Sequence, residues 1–174
     1  MIGDDAGAPA GRHETAAAAD DPQARAAEMR RVALGMLGRR EYARAELRQR
    51  LTKRFGEDAP VDALLDWLEA QRFLDDTRYA GMLVRSRIER GQGPLRIRQA
   101  LQHNGVSNPL AEQALAEAGC DWFALAAGTC RRRFGAGPPA DLKDKARRLR
   151  FLQYRGFTAD QCFEALDGDD VGPD

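Results

Sequence analysis

Lys143, Arg147, Arg150 and Tyr154 recur at i, i+4, i+7 and i+11, which gathers them on one stripe of a helix. Lys145, Arg148 and Arg155 flank that stripe. Arg131, Arg132 and Arg133 end the preceding helical segment, where positive charge also suits the helix dipole. A cationic surface with one aromatic among the charges suits phosphates or an acidic groove, and the ring can stack on a base or a guanidinium. The pattern points to an anionic partner without separating nucleic acid from acidic protein. Its competitor is a solvated helix face whose Arg stems cover the core. A thinner basic set, Arg85, Arg87, Arg90, Arg96 and Arg98, would extend the surface if the helical units share one side.

No set of polar residues converges on catalysis. Asp75-Asp76 is a carboxylate pair, but neighbours at a helix start do not converge on one ion, and no third ligand stands at helical spacing. Capping explains the pair better. His103 sits near a helix end, where the dipole favours it, and has no Cys or His at ligand spacing. Ser86 and Ser107 lack a His–acid arrangement, and Gly91-Gln92-Gly93 is too short for a phosphate loop. Cys120, Cys130 and Cys162 are odd in number and widely spaced, so neither a disulfide framework nor a zinc site is expected. No cofactor or metal is expected, and an enzyme is the least favoured class.

The formal charge of the 174 residues is zero, but it is unevenly placed. Residues 1–27 carry two Arg against five acids, and residues 167–174 carry four Asp and no base. The middle, 28–166, therefore holds 25 bases against 18 acids. A basic body between acidic ends suggests a phosphate-bearing partner. There is no apolar span long enough for a membrane helix and no signal-peptide pattern, so a protein of the reducing cytoplasm is expected.

The elements that must position these charges are all helical. Residues 1–27 have hardly any large apolar side chains and read as a disordered tail, although Asp21-Pro22 has the form of a helix start. The periodic pattern becomes strong at Met29. Helices follow near 43–55, 59–71 and 77–90, then from Gly93-Pro94 to Gly105, with Ser107 placed to cap the next. Asp121 caps a helix that holds Trp122, Leu125 and Cys130. The basic helix spans about 140–155, with Leu142, Ala146, Leu149 and Leu152 as its inward stripe. Thr158 and Gln161 form a capping box for a last helix burying Cys162, Phe163 and Leu166.

Leu51, Leu101 and Leu152 correspond at spacings of 50 and 51 residues, and Gly105 and Gly156 correspond as left-handed helix ends. The chain thus divides into three-helix repeats at 28–74, 75–119 and 120–166, with acidic tails at 1–27 and 167–174. A unit of that size buries too little to be secure alone, so neighbouring units must brace one another.

Three stretches together resemble the RecX family, bacterial regulators of the RecA recombinase. They are Glu46-Leu47 to Leu51, Phe73-Leu74-Asp75-Asp76 with Tyr79-Ala80, and Lys145 to Arg155-Gly156-Phe157. The resemblance covers about residues 30–166. One departure is Tyr42-Ala43, where the family often has a capping Ser; the loss should cost about 1 kcal/mol locally. The resemblance implies an all-α, elongated, curved solenoid of three tandem helix-turn-helix-like repeats. It also implies a non-enzymatic modulator. Such a protein lies in the groove of the RecA–single-strand filament and suppresses ATP hydrolysis, strand exchange and filament extension. Some members also bind single- or double-stranded DNA. A monomer is expected. The rivals are a helix-turn-helix transcriptional regulator and a helical scaffold that binds only protein.

Overall fold

Asp, Gly and Pro punctuate the chain, and the helices begin and end at them. The computed structural model describes residues 21–167. Among these there are nine helices and no strand. They are α1 (Pro22–Leu37), α2 (Arg44–Phe55), α3 (Val61–Ala70), α4 (Asp76–Glu89), α5 (Pro94–His103), α6 (Asn108–Glu117), α7 (Trp122–Phe134), α8 (Leu142–Arg155) and α9 (Ala159–Asp167). The expected tails at 1–20 and 168–174 lie outside the described residues.

α1 begins earlier than the apolar pattern suggests. Asp21 accepts the Gln23 N–H at 2.9 Å and Pro22 takes the first helical position. Residues 22–28 are all exposed, so local propensity and the cap, not burial, start this helix. Residues 22–27 therefore belong to α1, not to a disordered tail.

Each consecutive trio of helices closes on its own core. Leu47, Leu51, Leu65, Leu68 and Leu74 centre the first, Val84, Ile97 and Leu101 the second, and Leu152, Phe157 and Cys162 the third. Leu51, Leu101 and Leu152, which correspond in the repeat, are 1%, 0% and 0% exposed. α5 and α8 end alike. Gly105 (φ 79°) and Gly156 (φ 90°) are left-handed, and the following Val106 and Phe157 donate back to Leu101 and Leu152 at 3.0 and 3.2 Å. Their buried side chains seal each turn against the core.

Three expectations are corrected. Leu142 is 87% exposed and Ala146 is also exposed, so they are not part of the α8 core stripe. The inward residues are Arg148 and Leu152, with Leu149 and Phe151 partly buried. Arg148 can take an inner position because a carboxylate and a carbonyl neutralise and bond its guanidinium, which hydrophobic periodicity cannot register. Phe163 is 48% exposed; the capping box turns Gln161, Cys162, Ala165 and Leu166 inward instead. Ser107 occupies the N-cap of α6, but its hydroxyl makes no cap bond; Pro109 removes one of the donors a cap would satisfy.

All extensive helix packing lies within a repeat, and the repeats meet through the ends of their second helices. Neither α2 nor α5 has a side-chain cap of its own, and the next repeat supplies one. The Arg44 N–H at the start of α2 donates to Asp76 of α4 at 2.7 Å. The Gly93 and Leu95 N–H groups at the start of α5 donate to the Arg155 and Gly156 carbonyls at 2.9 and 3.0 Å. α8 comes last and carries its own caps: Asp141 accepts the Asp144 N–H, and Asp144 accepts that of Ala140. The adjacent aspartates thus cap two helices, since Asp75 accepts the Thr77 and Arg78 N–H groups at 2.9 and 3.0 Å. The cap missing at Tyr42-Ala43 is present after all, supplied by Asp76. Asp76→Ala should lower stability by about 1 kcal/mol, read as a fall in the urea midpoint, and Asp76→Asn should recover much of it. No change on Asp76→Ala would show that this bond carries nothing.

Candidate partner-binding face

Charge separates by helix. The second helices are strongly basic and hold 13 of the 25 bases of residues 28–166: α2 has five against one acid, α5 two against none, and α8 six against one. The third helices hold no base: α3 carries Asp62, Asp66 and Glu69, α6 carries Glu112 and Glu117, and α9 carries Asp160, Glu164 and Asp167. The second helices also touch end to end. The Gly156 turn of α8 lies on Arg96 at the start of α5, and the Gly105 turn of α5 lies on Ala45 at the start of α2. Each contact pair is displaced from the other by the repeat length. The result is a row of three basic helices running through the molecule.

Within that row the basic residues do different work. Lys143, Arg147, Arg150 and Tyr154 are all exposed, as their spacing predicts. Among the described residues, Lys143 and Arg150 make no ion pair. Arg147 and Arg148 grip opposite oxygens of Asp144, at 2.6 and 2.9 Å, and Arg148 also donates to the Gly137 carbonyl at 2.9 Å. Arg148, with its side chain only 10% exposed, braces the 135–141 loop and is not part of an open face. Lys145 pairs with Asp167 at 3.0 Å. Arg155 reaches across to the Arg90 carbonyl at 2.9 Å and lies over Phe151.

The α7 arginines also divide. Arg132 donates to Thr129 at 3.1 Å and packs beside the Gly91 turn of the second repeat. Arg133 is exposed and lies 5.7 Å from the Phe134 ring, and Arg131 is exposed on the same turn. Of the thinner middle set, Arg96 joins the third repeat directly. Its guanidinium donates to the Tyr154 carbonyl at 2.8 Å and sits 4.8 Å from the Tyr154 ring. Arg90 joins through its carbonyl. Arg98 is neutralised by Glu112, Arg87 bonds Gln92 at 3.3 Å, and Arg85 stands exposed on α4.

Two carboxylates that hold this framework titrate low. Burial works against the charge on Glu46, but hydrogen bonds from Arg40 and Arg50 outweigh it and keep its pKa below 4.5. Desolvation likewise opposes the charge on Asp144, and hydrogen bonds from Arg147 and Arg148 lower it below 3.8. A depressed folded pKa gives stability that is present above the unfolded value and lost as pH falls through the folded one. Melting temperature should therefore fall between about pH 5 and about pH 3. Glu46→Gln should flatten part of that fall; a wild-type curve level over this range would contradict the pairing.

Other chemistry is not assembled here. Among the described residues no three His, Cys, Asp or Glu side chains gather for a metal ion, and no helix is long and apolar enough to cross a membrane. The three cysteines are free thiols, and burial pushes Cys162 up to about 11, which leaves it protonated near neutrality.

Over most of its length the chain is similar to proteins of one family. Models of the second and third three-helix domains of RecX match residues 75–115 and 120–166. A regulatory protein RecX from Halorhodospira halophila is 45% identical over 149 residues, covering 83% of this chain and 92% of that protein. One from Acidithiobacillus ferrooxidans is 44% identical over 135 residues, covering 78% and 86%. The crystal structure of RecX from Lactobacillus salivarius superposes with a TM-score of 0.72 at 18% identity, over 85% of this chain and 98% of that one. A second RecX crystal structure gives 0.70 at 22%, over 91% and 79%. These two structures establish the shared fold, while the matched domains and the closely similar sequences establish descent: the chain belongs to the RecX family of regulatory proteins.

Proposed function

We propose that this protein restrains RecA by lying in the groove of the RecA–single-strand filament. There it suppresses ATP hydrolysis, strand exchange and filament extension, and so regulates recombinational repair and the SOS response in the cytoplasm. The observation that carries the reading is the end-to-end row α2–α5–α8, whose α2 and α5 arginines are largely paired with carboxylates, among them Asp62, Asp66, Glu69 and Glu112 of the third helices, and whose open charge is concentrated on α8. An open positive stripe on α8 suits an anionic groove, and the end-to-end junctions give one molecule the length to span several filament subunits. Lys143, Arg150 and Tyr154 supply the open contacts of the third repeat, with Arg131, Arg133 and Arg147 beside them. Arg148 and Arg155 hold the shape. Because much of the attraction is charge, binding weakens as salt rises.

The same charge division weighs against a transcriptional regulator. In a three-helix helix-turn-helix unit the last helix enters the major groove. Here those helices are α3, α6 and α9, which carry eight acids and no base. Phosphates would repel them. The test of the proposal is whether the protein slows strand-dependent ATP hydrolysis by its cognate RecA at substoichiometric amounts.

A further inference from the structure

Where α8 meets α5 there is an open cleft of about 620 Å³. Its walls come from two repeats: Leu95, Arg96, Arg98, Gln99 and Gln102 from α5, and Gln153, Tyr154 and Gly156 from the end of α8. Tyr154 is 74% exposed although it stands at a junction. The Arg96 guanidinium lies over its ring at 4.8 Å, and the residue keeps most of its surface in solvent. Leu95, 46% exposed, adds an apolar surface to the lining. No carboxylate lines it.

We infer that this cleft receives one unstacked base of a single-stranded nucleic acid, stacked on the exposed ring of Tyr154. The chemistry of the lining fits that ligand part by part. An exposed aromatic ring with a cation beside it is a stacking platform, and stacking tolerates any base. The carboxamides of Gln99 and Gln153 each offer a donor and an acceptor, which matches the mixed edge of a base and not the acceptor-only edge of a carboxylate. Arg96 places positive charge beside the ring, where the adjoining phosphate would lie. Tyr154 is also the last member of the stripe begun by Lys143 and Arg150. A strand whose backbone follows that stripe therefore arrives at the cleft.

The inference is separate from groove binding, and its test reads bases, not RecA. The full-length protein is titrated with a thymidine oligonucleotide and with an abasic phosphodiester chain of the same length. A second thymidine strand carries one central fluorescent adenine analogue. Affinity for the thymidine strand should exceed that for the abasic chain about tenfold, and the analogue should be quenched on binding. Tyr154→Ala should abolish both the preference and the quenching, and Tyr154→Phe should keep them. Lys143→Glu with Arg150→Glu should weaken both chains alike and leave their ratio intact, which distinguishes a failed electrostatic face from a failed base site. Equal affinity of the wild type for the two chains would overturn the inference. So would a preference that survives Tyr154→Ala, or displacement of the thymidine strand by an aspartate peptide without any base preference.

Discussion

Gly156→Ala should destabilise the protein by about 2–5 kcal/mol. Two independent costs meet at this residue. Its φ of 90° is one that L side chains rarely adopt, which costs about 1–2 kcal/mol. Its added Cβ would also stand 2.5 Å from the Arg96 backbone nitrogen and closer still to the Arg96 Cβ. Those atoms belong to the start of α5, which is fastened to α8 by the Gly93 and Leu95 hydrogen bonds. Relieving the overlap must separate the two repeats, at about 1–3 kcal/mol for the overpacking. Two further variants divide the sum. Gly119→Ala carries the backbone cost alone, since its φ is 56° and nothing lies within 4 Å. Gly93→Ala carries the overlap alone, because its φ of −82° is ordinary and its Cβ would strike the Gly156 backbone. Urea unfolding should rank Gly119→Ala well below Gly156→Ala. If these two cost the same, the close approach of α8 to α5 is not what holds the third repeat in place.

Lys143→Glu combined with Arg150→Glu should raise the protein concentration needed for half-inhibition of RecA at least about tenfold, roughly 1.4 kcal/mol of lost binding. Both side chains are exposed and neither has an ion-pair partner among the described residues, so folding should be unaffected. Reversing two charges on the open stripe changes its local charge by four. Truncating rim charges alters binding through long-range attraction, and the loss should shrink as salt rises. Arg148→Ala provides the contrast. It removes the clamp between Asp144 and the Gly137 carbonyl, so it should lower the melting temperature first and inhibition only as a consequence.

Much of the fold was legible because it rests on punctuation. Asp75, Gly105, Asp121, Gly156 and the Thr158–Gln161 box each work by local geometry that a few neighbouring residues encode. The repeat spacing was legible for the same reason, since Leu51, Leu101 and Leu152 face inward in equivalent turns. What was not legible depends on distant partners. Ala43 looks uncapped because its cap comes from Asp76 in the next repeat. Arg148 looks like part of the outer face, but Asp144 and Gly137 draw it inward, and Leu142 looks like core but meets only the rim of a cleft. The exposure of the basic stripe follows from its spacing, yet spacing does not separate Lys143 and Arg150, which stand open, from Arg155, which is spent on the Arg90 carbonyl. The cleft at Tyr154 joins residues about 60 positions apart and needs the junction to exist before it can be seen. Repeat arithmetic held a clue: Ala45 and Arg96 are displaced by the same 51 residues as Gly105 and Gly156.

The measurement that bears most directly on the function is the single-strand-dependent ATPase rate of the cognate RecA, followed as this protein is added below stoichiometry. Strong inhibition by the wild type is expected, with a shift of at least about tenfold for the Lys143→Glu, Arg150→Glu protein and no change in its melting curve. An ATPase rate that the wild type leaves untouched, or equal inhibition by the wild type and the charge-reversed protein, would contradict the proposed function.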